Sequence, residues 1–243
     1  MVDIHTHIIF GIDDGSDTLD ESIAILKSAY EVGVTDIILT PHYIDDGKNS
    51  YNNDGVAEKF IELKKRMQEE GIYIKLYLGN EVRDYGNIVD ILEKTDAKTL
   101  ADTKYILMEF PMNNEVNYIA DSIYELKIRN IVPIIAHPER CYCFTSNYKL
   151  IKEIADEGAL FQINLGSIIG KHGSEAKKIV KKMLKDNLVH FIATDTHSMS
   201  RNGYLDWEEA RKALDKMVGR YMRKKLTIYN QRALLINEDL KKE

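Results

Sequence analysis

Apolar runs recur along the chain, and stretches with helical periodicity separate them. The runs are rich in β-branched and aromatic residues, and most are apolar throughout rather than alternating, which is typical of strands buried on both faces. Seven strands are predicted, at residues 1–7, 34–40, 72–78, 105–108, 131–136, 160–164 and 189–194.

Amphipathic helices are predicted in the intervals between these strands. Thr18 and Glu21 have the spacing of a capping box before the first helix. The alternation of strand and helix predicts an α/β fold with a parallel sheet, and seven units favour a distorted (β/α)7 TIM-like barrel. A length of 243 residues fits one domain, residues 1–243. The predicted helices are residues 19–32, 56–70, 87–94, 116–129, 148–157, 174–185 and the region from 207 on.

Histidines and carboxylates stand where six of the seven predicted strands end. The two-residue period of a strand places His5 and His7 on the same side. One polar residue at a strand end is commonly a cap, but in parallel barrels the reactive groups gather at these ends. The repetition therefore predicts a shared site, made of His5, His7, His42, Glu81, Glu109, His137, Asp195 and His197.

These side chains indicate a metal centre. Imidazoles and carboxylates without thiolates suit Mn²⁺, Zn²⁺ or Fe²⁺. Eight ligands exceed the needs of one ion and suffice for two or three, with Glu81 as the expected bridge on a central strand.

Charge and hydropathy restrict the partners. The net charge of −6 and the pI near 5.7 leave no basic stripe for a nucleic acid. We find no signal segment and no apolar stretch near the length of a membrane span, so we expect no membrane insertion and a cytoplasmic location.

Two cysteines, Cys141 and Cys143, raise the alternative of a thiol nucleophile. A cysteine-dependent phosphatase loop closes on an arginine six residues after the thiol, but Asn147 and Lys149 occupy those positions here. Free thiols are the simpler interpretation, since neighbours one residue apart make a strained disulfide.

The order of the motifs resembles the polymerase and histidinol phosphatase (PHP) superfamily. Asp3 to Phe10, with Asp13-Asp14-Gly15 and His137 to Arg140, is most similar to its manganese-dependent bacterial protein-tyrosine phosphatases, which are paired with capsule and exopolysaccharide kinases. The resemblance covers about residues 1–237. The motifs are His5-Thr6-His7, Asp13-Asp14-Gly15, Pro41-His42, Gly79-Asn80-Glu81, Met108-Glu109-Phe110, Ala136-His137-Pro138-Glu139-Arg140 and Asp195-Thr196-His197.

The resemblance implies the PHP fold and a site with two or three Mn²⁺ ions, with Fe or Zn as alternatives. It implies one ion at His5, His7, Glu81 and Asp195, a second at Glu81 and His137, and a third at His42, Glu109 and His197. It also implies that Asp14 and Arg140 contact or protonate the phosphate, and that Arg201 is a second phosphate-binding arginine.

The same resemblance implies a substrate, a phosphotyrosine in the tail of a cytoplasmic tyrosine kinase, and hence control of polysaccharide synthesis. Metal-activated hydroxide would attack phosphorus, while Arg140 offers two hydrogen bonds that a lysine could not match. The loops Tyr43–Gly55 and Phe110–Glu115 are expected rims of the site. Glu21-Ser22 resembles an assembly motif of the family and suggests a homo-oligomer.

Two alternatives stay open at this point. One is another hydrolase on the same scaffold, either a histidinol-phosphate phosphatase or a metal amidohydrolase, although the latter usually has a bridging carbamylated lysine where this chain has Glu81 and Glu109. The other is a non-catalytic barrel, which would be expected to have lost ligands that this chain retains.

Overall fold

The structure is a computed structural model, and it describes residues 1–45 and 50–240. Seven parallel strand positions form the barrel, and two of them are split into a lower and an upper segment. The strands are β1 (Val2–Asp3), β2 (Asp36–Leu39), β3 (His42–Asp45), β4 (Ser50–Tyr51), β5 (Lys75–Leu78), β6 (Glu81–Arg83), β7 (Tyr105–Glu109), β8 (Val132–Ala136), β9 (Leu160–Asn164) and β10 (Phe191–Ala193).

The strands lie in two sheets, with the orders β1-β2-β5 and β10-β9-β8-β7-β6-β3-β4. Because β2 continues into β3 and β5 into β6, the two sheets share these strand positions around the barrel. A parallel bridge between Thr6 and Thr196 joins the first strand position to the last. The prediction of a distorted (β/α)7 TIM-like barrel is confirmed.

Helices cover the outside of the barrel. Thr18 caps the first of them, since its Oγ1 accepts a hydrogen bond from the backbone N–H of Glu21 at 3.2 Å. The helices are α1 (Leu19–Glu31), α2 (Val56–Glu69), α3 (Ile88–Lys94), α4 (Ile119–Lys127), α5 (Tyr142–Ser146), α6 (Tyr148–Asp156), α7 (Leu165–Ile169), α8 (Gly173–Lys185), α9 (Trp207–Lys224) and α10 (Asn230–Leu235).

Some boundaries differ from the sequence prediction. The helix predicted at residues 116–129 begins at Ile119, directly after Tyr118, whose hydroxyl donates to the Asp84 carbonyl oxygen at 2.9 Å. The short helices α5 and α7 were not predicted. Among residues 1–45 and 50–240, none of the helices combines the length and the apolar character that a membrane crossing requires.

His42 and Glu81 were predicted to follow strand ends, but they open the upper segments β3 and β6. The breaks have local causes. Pro41 has no N–H for a strand hydrogen bond, and a side chain at Gly79 would collide with Leu100, which packs against this break. The breaks do not change the predicted location of His42 and Glu81, because both residues still lie above the lower strand segments.

Two apolar layers hold the barrel together. One lies between strands and helices, and the other fills the lower barrel interior. Leu234 of α10 is fully buried in the interior layer and closes it from below. The other buried members of that layer are Val2, Ile4, Ile38, Leu100, Tyr105, Leu107, Ile134, Ala136, Phe191 and Ala193.

We predict that Leu234→Ala lowers the free energy of unfolding by about 2–5 kcal/mol, because it leaves a cavity in the barrel interior. Denaturant titration of the metal-free protein measures the change. Ile236→Ala is the matched control, since 65% of Ile236 is exposed, and it should change stability by less than about 0.5 kcal/mol. Equal effects of the two substitutions would contradict this account of the interior.

Candidate metal centre

The structure brings together the eight histidines and carboxylates that the sequence placed at strand ends. No more than 10% of any of these side chains is exposed. Alternation along the strands accounts for part of the convergence. On β7, for example, Tyr105 and Leu107 belong to the barrel interior, and Glu109 continues the same inward face.

Glu81 lies at the middle of the cluster. Its Oε2 is 3.1 Å from His5 Nε2 and 3.2 Å from His7 Nε2. The same oxygen is 3.2 Å from His42 Nδ1, and Oε1 is 2.8 Å from His137 Nε2. A single carboxylate therefore faces four imidazoles, as a shared metal ligand would.

Asp195 and His197 complete the cluster from the last strand. Asp195 Oδ1 lies 3.4 Å from both His5 Nε2 and His197 Nδ1. Its other oxygen, Oδ2, accepts hydrogen bonds from Arg140 Nη1 at 2.8 Å and from Asn164 Nδ2 at 2.6 Å. One oxygen of Asp195 is thus held by the protein, while the other faces the imidazoles.

Two of the eight residues have left-handed backbone conformations, His137 with φ of 31° and Asp195 with φ of 55°. Such conformations cost about 1–2 kcal/mol for a residue with a Cβ atom. The turns after β8 and β10 therefore aim these two side chains into the cluster at an energetic cost.

Several polar atoms in the cluster are buried without a hydrogen-bond partner. Leaving a buried polar atom unpaired costs about 1–3 kcal/mol or more, and a charged group more still. Their convergence and their N and O chemistry fit divalent cations, which would satisfy them together. The unpaired atoms of the cluster are Glu81 Oε2, Glu109 Oε2, Asp195 Oδ1, His42 Nδ1 and His137 Nδ1.

Hydrogen bonds fix the ring orientation of three histidines. The Nδ1 of His5, His7 and His197 lies 2.8 Å from Gln162 Oε1, 2.7 Å from Asp13 Oδ2 and 2.9 Å from the Asp195 carbonyl oxygen, respectively. Since these oxygens accept, each Nδ1 carries the proton and leaves Nε2 for a metal.

Four groups of these side chains have ligand atoms within 4.8 Å of one another. The family resemblance implied that His197 shares an ion with Glu109, but the structure groups His197 with Asp14, His7 and His42. Asp14 Oδ1 lies 3.3 Å from His42 Nε2 and 3.5 Å from His197 Nε2. The groups are His7-Asp14-His42-His197, His5-His7-Glu81, His5-His137-Asp195 and His42-Glu81-Glu109.

The electrostatics are those of tightly paired charges. Burial disfavours the charged form of His5, but Glu81 and Asp195 outweigh burial and raise its pKa to about 10. Burial works against the Glu81 carboxylate too, yet His5, His137 and His42 hold its pKa well below the usual range. Burial and the neighbouring His7 lower the pKa of His197 to about 4. Metal binding to His5 therefore displaces a proton, so affinity falls as the pH is lowered.

Sequence reasoning missed the residues that support the ligands. Asp13 was noted only as part of a loop motif, but its buried Oδ2 holds both His7 Nδ1 and the backbone N–H of His42. Gln162 and Asn164 lie on β9, which corresponds to the one predicted strand, residues 160–164, without an expected ligand at its end. Two polar residues at alternate positions of an otherwise apolar strand were the available signal.

An open cavity of about 420 Å³ leads to the cluster. Arg140 and Arg201 both line it. Arg140 pairs with Asp195 rather than with the adjacent Glu139, and Arg201 Nη2 donates to the Asp14 carbonyl oxygen at 3.0 Å. The arginines that the resemblance implied for phosphate binding thus share the wall of one cavity.

The two loops that were expected to form the rims of the site both contribute residues near the cluster or the cavity. Within the loop Tyr43–Gly55, residues 46–49 lie outside the described residues, but the Tyr51 ring stacks on His42 with a centroid distance of 6.0 Å. Met112 of the other rim lines the cavity. Tyr204, which follows the last ligand motif by seven residues, is fully buried.

The two cysteines lie outside this cavity wall. Both are buried, with their Sγ atoms 3.5 Å apart. The hydrogen bond with Cys143 and, next, burial raise the pKa of Cys141. The same hydrogen bond lowers the pKa of Cys143, but neither thiol lines the cavity, so the geometry disfavours thiol chemistry there.

A comparison with protein-family models gives a match over residues 1–236, to the family described as capsular polysaccharide synthesis, CpsB/CapC. The chain belongs to this family. The resemblance inferred from the motifs is thereby confirmed, and the CpsB/CapC model covers every residue of the cluster.

Individual relatives agree with the family. The chain is 37% identical to a putative tyrosine-protein phosphatase CapC of Staphylococcus aureus, over 84% of this chain and 80% of that one. It is 34% identical to tyrosine-protein phosphatase YwqE of Bacillus subtilis, over 99% and 93% of the two chains.

Solved structures give the same result for the fold. One described with YwqE of Bacillus subtilis and CpsB of Streptococcus pneumoniae as metal-dependent tyrosine phosphatases matches with a TM-score of 0.92 and 34% identity, covering 100% of this chain and 97% of the other. A histidinol phosphate phosphatase of Lactococcus lactis matches with a TM-score of 0.53 and 16% identity, over 90% and 94% of the chains. The second likeness concerns the fold alone.

We predict that Asp13→Ala weakens metal binding about 10–100-fold, because His7 loses the acceptor that orients it. Competition with a fluorescent chelator on metal-stripped protein measures the affinity. Asp17→Ala is the control, since Asp17 lies on the same loop but is exposed. Equal affinities of the Asp13 and Asp17 variants would show that Asp13 does not support a ligand.

Proposed function

We propose that the protein is a metal-dependent phosphatase that hydrolyses phosphotyrosine in proteins. The observation that carries the proposal is the group of buried, unpaired carboxylate and imidazole atoms beside an arginine-lined cavity. The relatives supply the substrate class, since the CapC and YwqE proteins are named tyrosine-protein phosphatases.

The eight residues His5, His7, His42, Glu81, Glu109, His137, Asp195 and His197 would hold two or three divalent ions, with Glu81 shared. Mn²⁺ is the proposed ion, and Fe²⁺ or Zn²⁺ suit the same donors. When bound, the ions supply Lewis acidity, which activates water near neutral pH and balances charge on the phosphoryl oxygens.

The remaining chemistry belongs to side chains at the cavity wall. Arg140 would donate hydrogen bonds to phosphoryl oxygens from N–H groups at the edge of its planar guanidinium, which its contact with Asp195 already holds beside the cluster. Arg201, which also lines the cavity, adds a second positively charged side chain. Asp14 lies between His42 and solvent, with 47% of its side chain exposed. Its carboxylate can bind an ion held by His7, His42 and His197, and it can accept a hydrogen bond from water.

Tyrosyl phosphate suits such a site. The phenolate leaving group has a pKa near 10, so it departs with less protonation than an alkoxide needs. The rigid aromatic ring also extends the phosphate away from the peptide backbone, so that it can reach the buried cluster.

The proposed partner is the phosphorylated tail of a tyrosine kinase, met in the cytoplasm, with control of capsule synthesis as the consequence. The family description supports the link to capsular polysaccharide synthesis. The net charge of −6 argues against a nucleic-acid partner.

Self-association into a homo-oligomer stays a prediction. In this chain Ser22 is fully buried and donates to the Ile8 carbonyl oxygen at 2.5 Å. The Glu21 carboxylate accepts from the backbone N–H of Met199 at 2.9 Å. An interface at this motif would therefore have to use neighbouring side chains of α1.

We predict that chelator-stripped protein releases phosphate from a phosphotyrosine peptide when Mn²⁺ is added, and releases none from histidinol phosphate. Phosphate release with and without Mn²⁺ is the measurement. Release from histidinol phosphate alone would move the function to the alternative phosphatase.

Two variants serve as controls in the same assay. His5→Ala and Glu81→Ala should abolish release while the circular dichroism spectrum is unchanged, because each removes a ligand rather than apolar packing. Full activity of either variant in metal-replete buffer would contradict the metal mechanism.

We further predict that the double variant Cys141→Ser, Cys143→Ser keeps its turnover within about twofold, because neither thiol reaches the cavity. The same phosphotyrosine assay measures this, with thermal unfolding as a check on the fold. A large loss of turnover in a folded variant would revive the thiol mechanism.

A further inference from the structure

Arg83 is placed opposite Glu109 by the register of the sheet. It lies two residues after Glu81 on β6, so both side chains point inward from the same strand. The neighbouring strand β7 pairs with β6 in parallel, and Arg83 and Glu109 are direct partners in that register. Directly opposed side chains of neighbouring strands are close enough to interact.

The ion pair between these residues has an unusual geometry. Arg83 Nη2 and Nε lie 2.7 Å and 2.8 Å from the same atom, Glu109 Oε1. The other oxygen, Oε2, is buried and unpaired. The guanidinium therefore holds Oε1, which also lies 3.4 Å from His42 Nδ1, and leaves Oε2, 4.0 Å from His137 Nε2, without a hydrogen bond.

Asp195 repeats this arrangement on the other side of the cavity. Arg140 and Asn164 hold its Oδ2, and its Oδ1 is the unpaired atom. Each of two carboxylates thus has one oxygen bound to an arginine and one directed at the imidazoles. Arg140 is expected to bind phosphate, whereas nothing so far gives Arg83 a function.

We propose that Arg83 is a positioning residue, which holds Glu109 so that Oε2 alone binds one metal ion. The proposal rests on the proposed metal-dependent function. A carboxylate with both oxygens free can rotate or bind an ion through both, whereas the clamp on Oε1 fixes its orientation.

An arginine suits this task better than a lysine. Two nitrogens of a rigid, planar group bind one oxygen and resist rotation about the carboxylate, while an ammonium offers a single point contact. Glu109 is 1% exposed, so without Arg83 its charge would be buried beside His42, His137 and the like-charged Glu81. The carboxylate would then be free to turn.

The test compares Arg83→Met and Arg83→Lys with the wild type, using the full chain after removal of metal. The number of bound Mn²⁺ ions and their dissociation constants are measured by chelator competition, and electron paramagnetic resonance reports coupled ions. Arg129→Met is the matched control, because Arg129 forms exposed pairs with Glu93 and Glu125.

We expect Arg83→Met to weaken one ion at least about tenfold and to leave the others unchanged. Arg83→Lys should give an intermediate affinity for that ion, and Arg129→Met should match the wild type. A general loss of stability would instead weaken every ion together and lower the melting temperature, which would overturn the positioning role.

Other outcomes also decide the matter. Wild-type affinity for all ions in Arg83→Met would overturn the proposal, and a raised KM for the phosphotyrosine peptide in that variant would make Arg83 a substrate contact. If Arg83→Met does not fold, Arg83→Lys decides, since unchanged affinities there would exclude the clamp. A wild type that binds no ion would overturn the proposed function as well, which separates the two failures.

Discussion

The burial of Glu81 among four imidazoles is the constraint around which the candidate metal centre is arranged. A buried carboxylate is costly unless charges or hydrogen bonds compensate it. Here His5 and His7 come from one strand position and His42 and His137 from two others, and all of them meet at this side chain. The strands must therefore keep their relative heights, because a shift of one strand would leave a charge at the centre uncompensated.

Closure of the barrel depends on the same region. Between the first and last strand positions the structure has one backbone bridge, Thr6 with Thr196, and side chains supply the rest of the seam. Asp3 is fully buried and accepts from Thr194 Oγ1 at 2.6 Å. Just above it, His5 and His7 face Asp195 and His197 across this seam. An ion bound there would join the two edges of the barrel, so metal binding and closure would be coupled.

The strand ends could be predicted because strands buried on both faces of a parallel barrel appear in the sequence as continuous apolar runs. A His or Glu directly after such a run then has to lie at one end of the barrel. The supporting residues were not predictable in the same way. Asp13 reaches His7 through a turn whose shape depends on Gly15, where a side chain would collide with the His7 carbonyl oxygen. Such loop geometry depends on tertiary packing rather than on periodicity.

The partition of the ligands among ions stays a prediction, and the arrangement of side chains differs from the implied one for a similar reason. His42 has one ring nitrogen near Glu81 and Glu109, and its other nitrogen faces Asp14. Strand order places His42 beside the residues of neighbouring strands, but the orientation of its ring decides which group it joins. Ring orientation is set by contacts such as the Tyr51 ring that stacks on it, and these come from a hairpin that the strand pattern alone does not place.

The charge of the cavity wall differs from the charge of the whole chain. The protein carries a net charge of −6, while four cationic side chains line the described cavity, namely Arg83, Arg140, Lys171 and Arg201. Two of them, Arg83 and Arg140, are held by buried carboxylates of the cluster, so their charge is fixed in place without flexible surface pairs. Five carboxylates line the same cavity, namely Asp14, Glu81, Glu109, Asp195 and Asp206. Bound divalent ions would therefore have to supply the excess positive charge that attracts a phosphate, and they would do so at one point. With the ions bound, such a site would favour a compact anionic group, while the net charge of −6 offers no extended basic surface to a nucleic acid.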